Sequence, residues 1–143
     1  MSVKQLSVFL DNKPGRLADT MKLISAAGVN IRALSLADTK DFGILRVIVS
    51  DAVKAKAILS ERLIVSETDV IAAEMSDKAG ALSDILDILK DADINIEYLY
   101  AFTGSKADSA YVVLRVDNTD AAEKLLAENG VATLSDDELK ALL

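Results

Sequence analysis

The run Asp11-Asn12-Lys13-Pro14-Gly15-Arg16-Leu17 has the residue types of a small-anion cradle. A glycine where a helix starts carries no Cβ, so a ligand can come close to the backbone there. The free N–H groups of a first helical turn and the positive end of its dipole favour an anion, such as an amino-acid carboxylate. Pro14 suits the first helical position, where its missing N–H costs little. A degraded copy returns as Asp77-Lys78-Ala79-Gly80-Ala81-Leu82, 65 residues further on. Beyond each run stands an asparagine, Asn30 or Asn95, whose side chain offers two donors and an acceptor, enough to hold an ammonium and a carboxylate together. The same residues also have a use without any ligand, Gly15 as a helix cap and Asn30 as the close of a helix–strand turn.

The repeat extends beyond the motif. At the same offset, eight of the 22 positions from Lys13 to Leu34 are identical, among them Asp19/Asp84, Ala27/Ala92, Ile31/Ile96 and Leu34/Leu99. This is a tandem duplication of one small unit, with residues 1–68 as the first domain and 69–143 as the second. Halves of this size lie near the lower limit for an independent core, so side-by-side packing is expected of them.

The apolar period predicts the elements that position the motif. Leu6, Val8 and Leu10 alternate as in a strand, and Leu17, Met21 and Ile24 fall at helical spacing up to Gly28. Asn30–Ala37 and Ile44–Val49 read as strands around an Asp38–Asp41 turn. Asp51 caps a helix to about Glu61 with Val53, Ala57 and Ile58 on one face, and Leu63–Val65 starts a fourth strand. The second half repeats this as strand Val70–Met75, helix Leu82–Lys90 and strand Asn95–Phe102. Its hairpin, Thr103–Ser109, is two residues longer, which moves the offset to 67 for Val112, Leu114 and Val116. A helix capped by Asn118 or Thr119 buries Ala122, Leu125 and Leu126, and Gly130 ends it before a strand Val131–Leu134. Ser135 and Glu138 have capping-box spacing for a short final helix. The fold class is α+β, two tandem ferredoxin-like βαββαβ units. That topology serves many functions, so the site has to decide between them.

Composition excludes several classes. A net charge of −7 opposes nucleic-acid backbones and anionic membranes as partners. There is no cysteine and no histidine, which removes disulfides, thiolate metal sites and the commonest general base. No long apolar span or signal-peptide layout is present, so a cytoplasmic protein without cofactor or metal is expected. Metal transfer is excluded for want of cysteine, and RNA recognition by the acidic balance.

The Asp-Asn-Lys-Pro-Gly-Arg-Leu run after an alternating strand, followed by Val29-Asn30-Ile31, resembles the ACT domain. In that family an acidic or polar residue precedes x-Pro-Gly-x-Leu, and an asparagine-isoleucine pair opens the second strand. Asp41-Phe42-Gly43-Ile44-Leu45-Arg46-Val47-Ile48-Val49-Ser50-Asp51 is similar to stand-alone tandem ACT proteins. The resemblance covers essentially the whole chain, more loosely in the second unit. It implies a regulatory, non-catalytic module that binds an amino acid between paired domains. The implied ligand-binding residues are Asp11, Asn12, Lys13, Pro14, Gly15, Arg16, Leu17, Asn30 and Ile31. In the second unit they are Asp77, Lys78, Ala79, Gly80, Ala81, Leu82, Asn95 and Ile96. With pseudo-twofold pairing the first loop meets Asn95 and the second meets Asn30. Ala79 and Ala81 depart from the pattern, making the second loop looser and less basic.

The resulting expectation is a sensor that modulates an enzyme of amino-acid metabolism in trans, as a homodimer, and covering the open sheet face in that dimer is one use for Tyr98, Tyr100 and Phe102. Ordinary sheet packing is the other use for those aromatics. Two alternatives stay open, a small acylphosphatase-type enzyme using Arg16 and Asn30, and an interaction scaffold with no ligand. Gly15→Val is expected to block the ligand while leaving the fold largely intact.

Overall fold

The computed structural model describes residues 2–38, 41–103 and 107–142. In the first half, β1 (Val3–Asp11) passes through the motif into α1 (Arg16–Ala26). Then follow β2 (Ile31–Asp38), β3 (Phe42–Val49), α2 (Ala52–Leu59) and the opening of β4 (Ile64–Ser76). The second half uses the remainder of β4 with α3 (Ala81–Asp91), β5 (Ile96–Thr103), β6 (Ser109–Val116), α4 (Thr119–Glu128) and β7 (Thr133–Leu134). A final α5 (Asp136–Leu142) completes it. The chain divides into two compact units, Lys4–Thr68 and Asp69–Leu143 with Met1–Val3. β4 is one strand where two were expected, because Ser66-Glu67-Thr68-Asp69 holds no glycine or proline to interrupt it.

The sheets are antiparallel and alike. In the first unit β3 lies between β2 and β1, with Leu45 opposite both Leu36 and Val8. In the second, β6 lies between β5 and β4, with Val112 opposite both Ala101 and Ala73. β7 pairs the other edge of β4 through Ala72↔Leu134. β7 is shorter than the expected Val131–Leu134, although the Glu74 N–H already bonds the Ala132 carbonyl at 2.9 Å. Each edge strand carries a bulge one residue past its asparagine, between Ile31 and Ala33 and between Ile96 and Tyr98. The hairpin register, Asp38↔Gly43 against Thr103↔Ala110, carries the two-residue insertion. The expected turn residues Thr39 and Lys40, and Gly104–Lys106 of the longer hairpin, lie outside the described residues.

Helices cover one face of each sheet. Leu6, Val8, Leu10, Leu45 and Val47 meet Ile24 and Leu59 in the first core, and Ile71, Ala73, Val112 and Leu114 meet Leu89 and Leu126 in the second. α1 ends in a Schellman motif, with Gly28 at φ 73° and the Val29 N–H on the Ile24 carbonyl. α3 ends identically with Asp93 in the left-handed conformation, φ 58°, and the Ile94 N–H on the Leu89 carbonyl. Asp51 and Asn118 cap α2 and α4 by accepting the N–H groups of Lys54 (3.0 Å) and Ala121 (3.1 Å). Ser135 and Glu138 form the capping box reciprocally. The face of α2 differs from expectation. Ala55 and Leu59 are buried and Val53 is 80% exposed, because a helix capped at Asp51 turns positions 52, 55 and 59 toward the sheet.

Tyr98, Tyr100 and Phe102 share the sheet face away from the helices with Arg115, Val113 and Tyr111. Tyr100 is buried, Tyr98 and Phe102 are half-buried, and the Phe102 ring stacks on Tyr111 at 5.2 Å. Among the described residues no helix is long and apolar enough to cross a membrane.

Candidate functional site

The two motif loops have the same backbone. Lys13–Arg16 is a turn closed by the Arg16 N–H on the Lys13 carbonyl at 3.3 Å, with Gly15 at φ 86°, ψ −14°. Those angles at the third residue, with proline second, define a type II turn that only glycine fills without strain. Lys78–Ala81 repeats it, with the same 3.3 Å bond and Gly80 at φ 90°, ψ −14°. Each loop is pinned to the hairpin beside it, by the Asn12 N–H on Asp41 (3.2 Å) and the Asp77 N–H on Asp108 (2.9 Å). Pro14 is therefore not the first helical residue. It presets the second position of the turn, and the helix starts after Gly15.

No side chain caps α1 or α3. The N–H groups of Leu17 and Ala18, and of Leu82 and Ser83, have no acceptor among the described residues. At the equivalent point in α2 and α4 the Asp51 and Asn118 side chains fill that role. Each unit thus has one helix start closed by its own side chain and one left open behind a glycine turn.

The other candidate residues separate by role. Leu17, Ile31, Leu82 and Ile96 pack against the two cores. Arg16 Nε lies 3.8 Å from Asp11 Oδ2 in an exposed pair of the kind that contributes little stability. Asn30 and Asn95 immediately precede their strands. Their backbone N–H groups bond Ser50 Oγ (2.9 Å) and Asp117 Oδ1 (3.2 Å), while both carboxamides are exposed and without a partner among the described residues. Asn95 lines a shallow cleft of about 410 Å³ with Leu86, Lys90 and Asp93.

Within one unit, loop and asparagine stand apart. They sit at opposite ends of the first helix, whose 11 residues span roughly 16 Å at 1.5 Å per residue. The register agrees, since Asp11 pairs Phe42 at one end of the sheet while Ile31 pairs Val49 at the other. A unit by itself does not bring the two groups onto one small ligand, and Arg16 and Asn30 of one unit cannot share a phosphate. That removes the geometry an acylphosphatase would need.

Motif residues also border a cleft of about 620 Å³ in the first unit, between α1, the end of β1 and the α2–β4 turn. Besides Asp11 and Arg16 it is lined by Phe9, Lys22, Arg62 and Ile64, none of them singled out from sequence. Arg16, Asp19 and Lys22 at three-residue spacing would have indicated its helical wall. Arg62 comes from a turn, and only the fold brings it there.

The ACT domain pair family model matches residues 1–143, the whole chain. This protein belongs to that family. Protein BT0572 from Bacteroides thetaiotaomicron is similar to it at 38% identity, with a TM-score of 0.91 over 97% of this chain and 96% of that one. The aspartokinase alpha and beta subunits share the fold at 16% identity, TM-score 0.62, over 87% and 90% of the two chains. The ligand-free regulatory subunit of aspartate kinase from Thermus thermophilus does so at 12% identity, TM-score 0.62, over 87% and 91%. No curated protein is similar enough to match. As an ACT domain pair the chain falls in a family of regulatory modules, and no catalytic family is indicated.

Proposed function

We propose that this ACT domain pair is a non-catalytic regulatory protein that binds a small amino acid and modulates an enzyme of amino-acid metabolism in trans. The observation that carries it is the open helix start behind a glycine turn, present in both units at the motif residues. Two unpaired N–H groups at the positive end of a helix suit a carboxylate. The exposed carboxamides of Asn30 and Asn95 suit the remaining polar groups of an amino acid. Loop and asparagine of one unit lie at opposite ends of a helix, so this reading requires each site to combine two units, the first loop with Asn95 and the second with Asn30. Domains at 1–68 and 69–143, a homodimer using the face of Tyr98 and Phe102, and action in the cytoplasm on free amino-acid pools belong to the same proposal. The likeness to a regulatory subunit of aspartate kinase supports the direction of the reading, a partner enzyme served in trans.

A thermal-shift screen against the twenty amino acids tests it. A ligand that binds the native state raises the melting temperature as RT ln(1 + [L]/Kd). A selective shift that disappears in Asn95→Ala is the expected result. No shift with any amino acid rejects the sensor and leaves an interaction scaffold.

A further inference from the structure

We propose that the cleft beside α1 in the first unit is a second binding site, for a monocarboxylate with a compact apolar body, adjoining the first loop through Asp11 and Arg16 and independent of Asn95. Its volume of about 620 Å³ lies within the range of small-molecule pockets. Three cations, Arg16, Lys22 and Arg62, line it against two carboxylates, Asp11 and Asp19. Asp11 is engaged with Arg16 at 3.8 Å, while Lys22, Arg62 and Asp19 have no ion-pair partner among the described residues. One positive charge is left over, in a chain whose net charge is −7. An arginine fork with a lysine beside it matches a carboxylate. Asp19 in the same wall disfavours a second negative charge and so a phosphate monoester. The apolar part of the lining is Leu10, Leu23, Leu63 and Ile64, and of these Ile64 is left 72% exposed to water.

The duplication supplies an internal control. The second unit has the same fold with Glu74 in place of Phe9, Ala81 in place of Arg16 and Asp87 in place of Lys22. The bonds that follow the second helix, Leu63 N–H to Leu59 and Val131 N–H to Leu126, align Arg62 and Ile64 with Gly130 and Ala132. A βαββαβ unit therefore needs none of these side chains in order to fold. Their replacement removes all three cations together. The halves as a whole show the same division. Residues 1–68 hold ten lysines and arginines against seven aspartates and glutamates, whereas residues 69–143 hold six against sixteen. The first unit attracts anions and the second repels them.

The test is an amide-resolved NMR titration of the full chain with isocaproate, using isocaproamide as the uncharged control. Isocaproate is expected to give saturable shifts at Leu10, Lys22, Leu23 and Arg62–Ile64, and the amide none. In the double variant Lys22→Ala/Arg62→Ala the dissociation constant should rise about tenfold or more, as expected when charge-assisted bonds are removed. Both side chains are exposed, and an unchanged melting temperature without isocaproate shows that the fold is intact. No saturable shift, equal shifts from the amide, or an unchanged constant in the double variant overturns the proposal. L-leucine as a third titrant identifies the source of the carboxylate. Competition with isocaproate at the cleft amides assigns an amino acid, and absence of competition assigns a deaminated acid; both outcomes support the carboxylate site. Asn95→Ala, which should abolish binding at the first loop, should leave the cleft titration unchanged, so the two readings fail separately.

Discussion

The loops before α1 and α3 form the same turn with the same bonds, yet what surrounds them diverges. Gly15 and Gly80 differ by 4° in φ, and the bonds from Arg16 and Ala81 back to the two lysines are both 3.3 Å long. Around that common backbone the first unit sets Pro14, Arg16, Lys22 and Phe9, and the second sets Ala79, Ala81, Asp87 and Glu74. Positions that the backbone requires have stayed the same through the duplication. The exposed positions around it have drifted, and most of that drift is in charge.

The largest effect should come from the shared cores. Leu59→Ala and Leu126→Ala each remove a fully buried side chain at equivalent places, and each should cost about 2–5 kcal/mol in denaturant unfolding. A marked inequality would show that one unit's core can collapse around the gap and the other's cannot. Next come the turn glycines. A Cβ at Gly15 or Gly80 meets nothing within 4 Å, so space is free, but the positive φ strains any branched residue. Gly15→Val and Gly80→Val should each cost about 1–2 kcal/mol, read as a fall in melting temperature. Gly15→Val is thereby expected to cost stability as well as to block a ligand, with the fold still largely intact. Equal costs would sharpen the equivalence of the loops, and a neutral result in either would break it. The smallest effect tests Pro14 against Ala79. Ala79 occupies the position preset by Pro14, and its N–H bonds nothing among the described residues. Ala79→Pro should stabilise the chain by about 0.4–1 kcal/mol, visible as a raised denaturant midpoint. Destabilisation would mean that the two turns differ despite their matching bonds.

Much of this was legible in the residues. The 65-residue offset and its change to 67 at the hairpin located equivalent elements in both units, and the register bears this out. The caps at Asp51, Asn118 and Ser135 were readable because their chemistry is local, one side chain meeting an N–H three residues on. The buried face of α2 differs at Val53, since six of its eight residues are apolar and fit more than one helical phase. Pro14 stands two residues before the helix rather than at its first position, because proline suits both a first helical position and the second residue of a type II turn. For the candidate site, both glycine turns and both asparagines were identifiable by type and spacing. Their separation within each unit was not, because it depends on the length and direction of the intervening helix.

Sequence alone determined the duplication, the order of elements, the glycine turns and the regulatory family, because repeats, periodicity and capping act over a few residues or by direct self-comparison. Tertiary structure decided which candidates lie exposed and which face the core. It assigned Leu17, Ile31, Leu82 and Ile96 to the two cores. It also brought Arg62 from a distant turn to the cleft of Phe9, Arg16 and Lys22. Such neighbourhoods depend on how helices lie across a sheet, and nothing in the local order of residues encodes that directly.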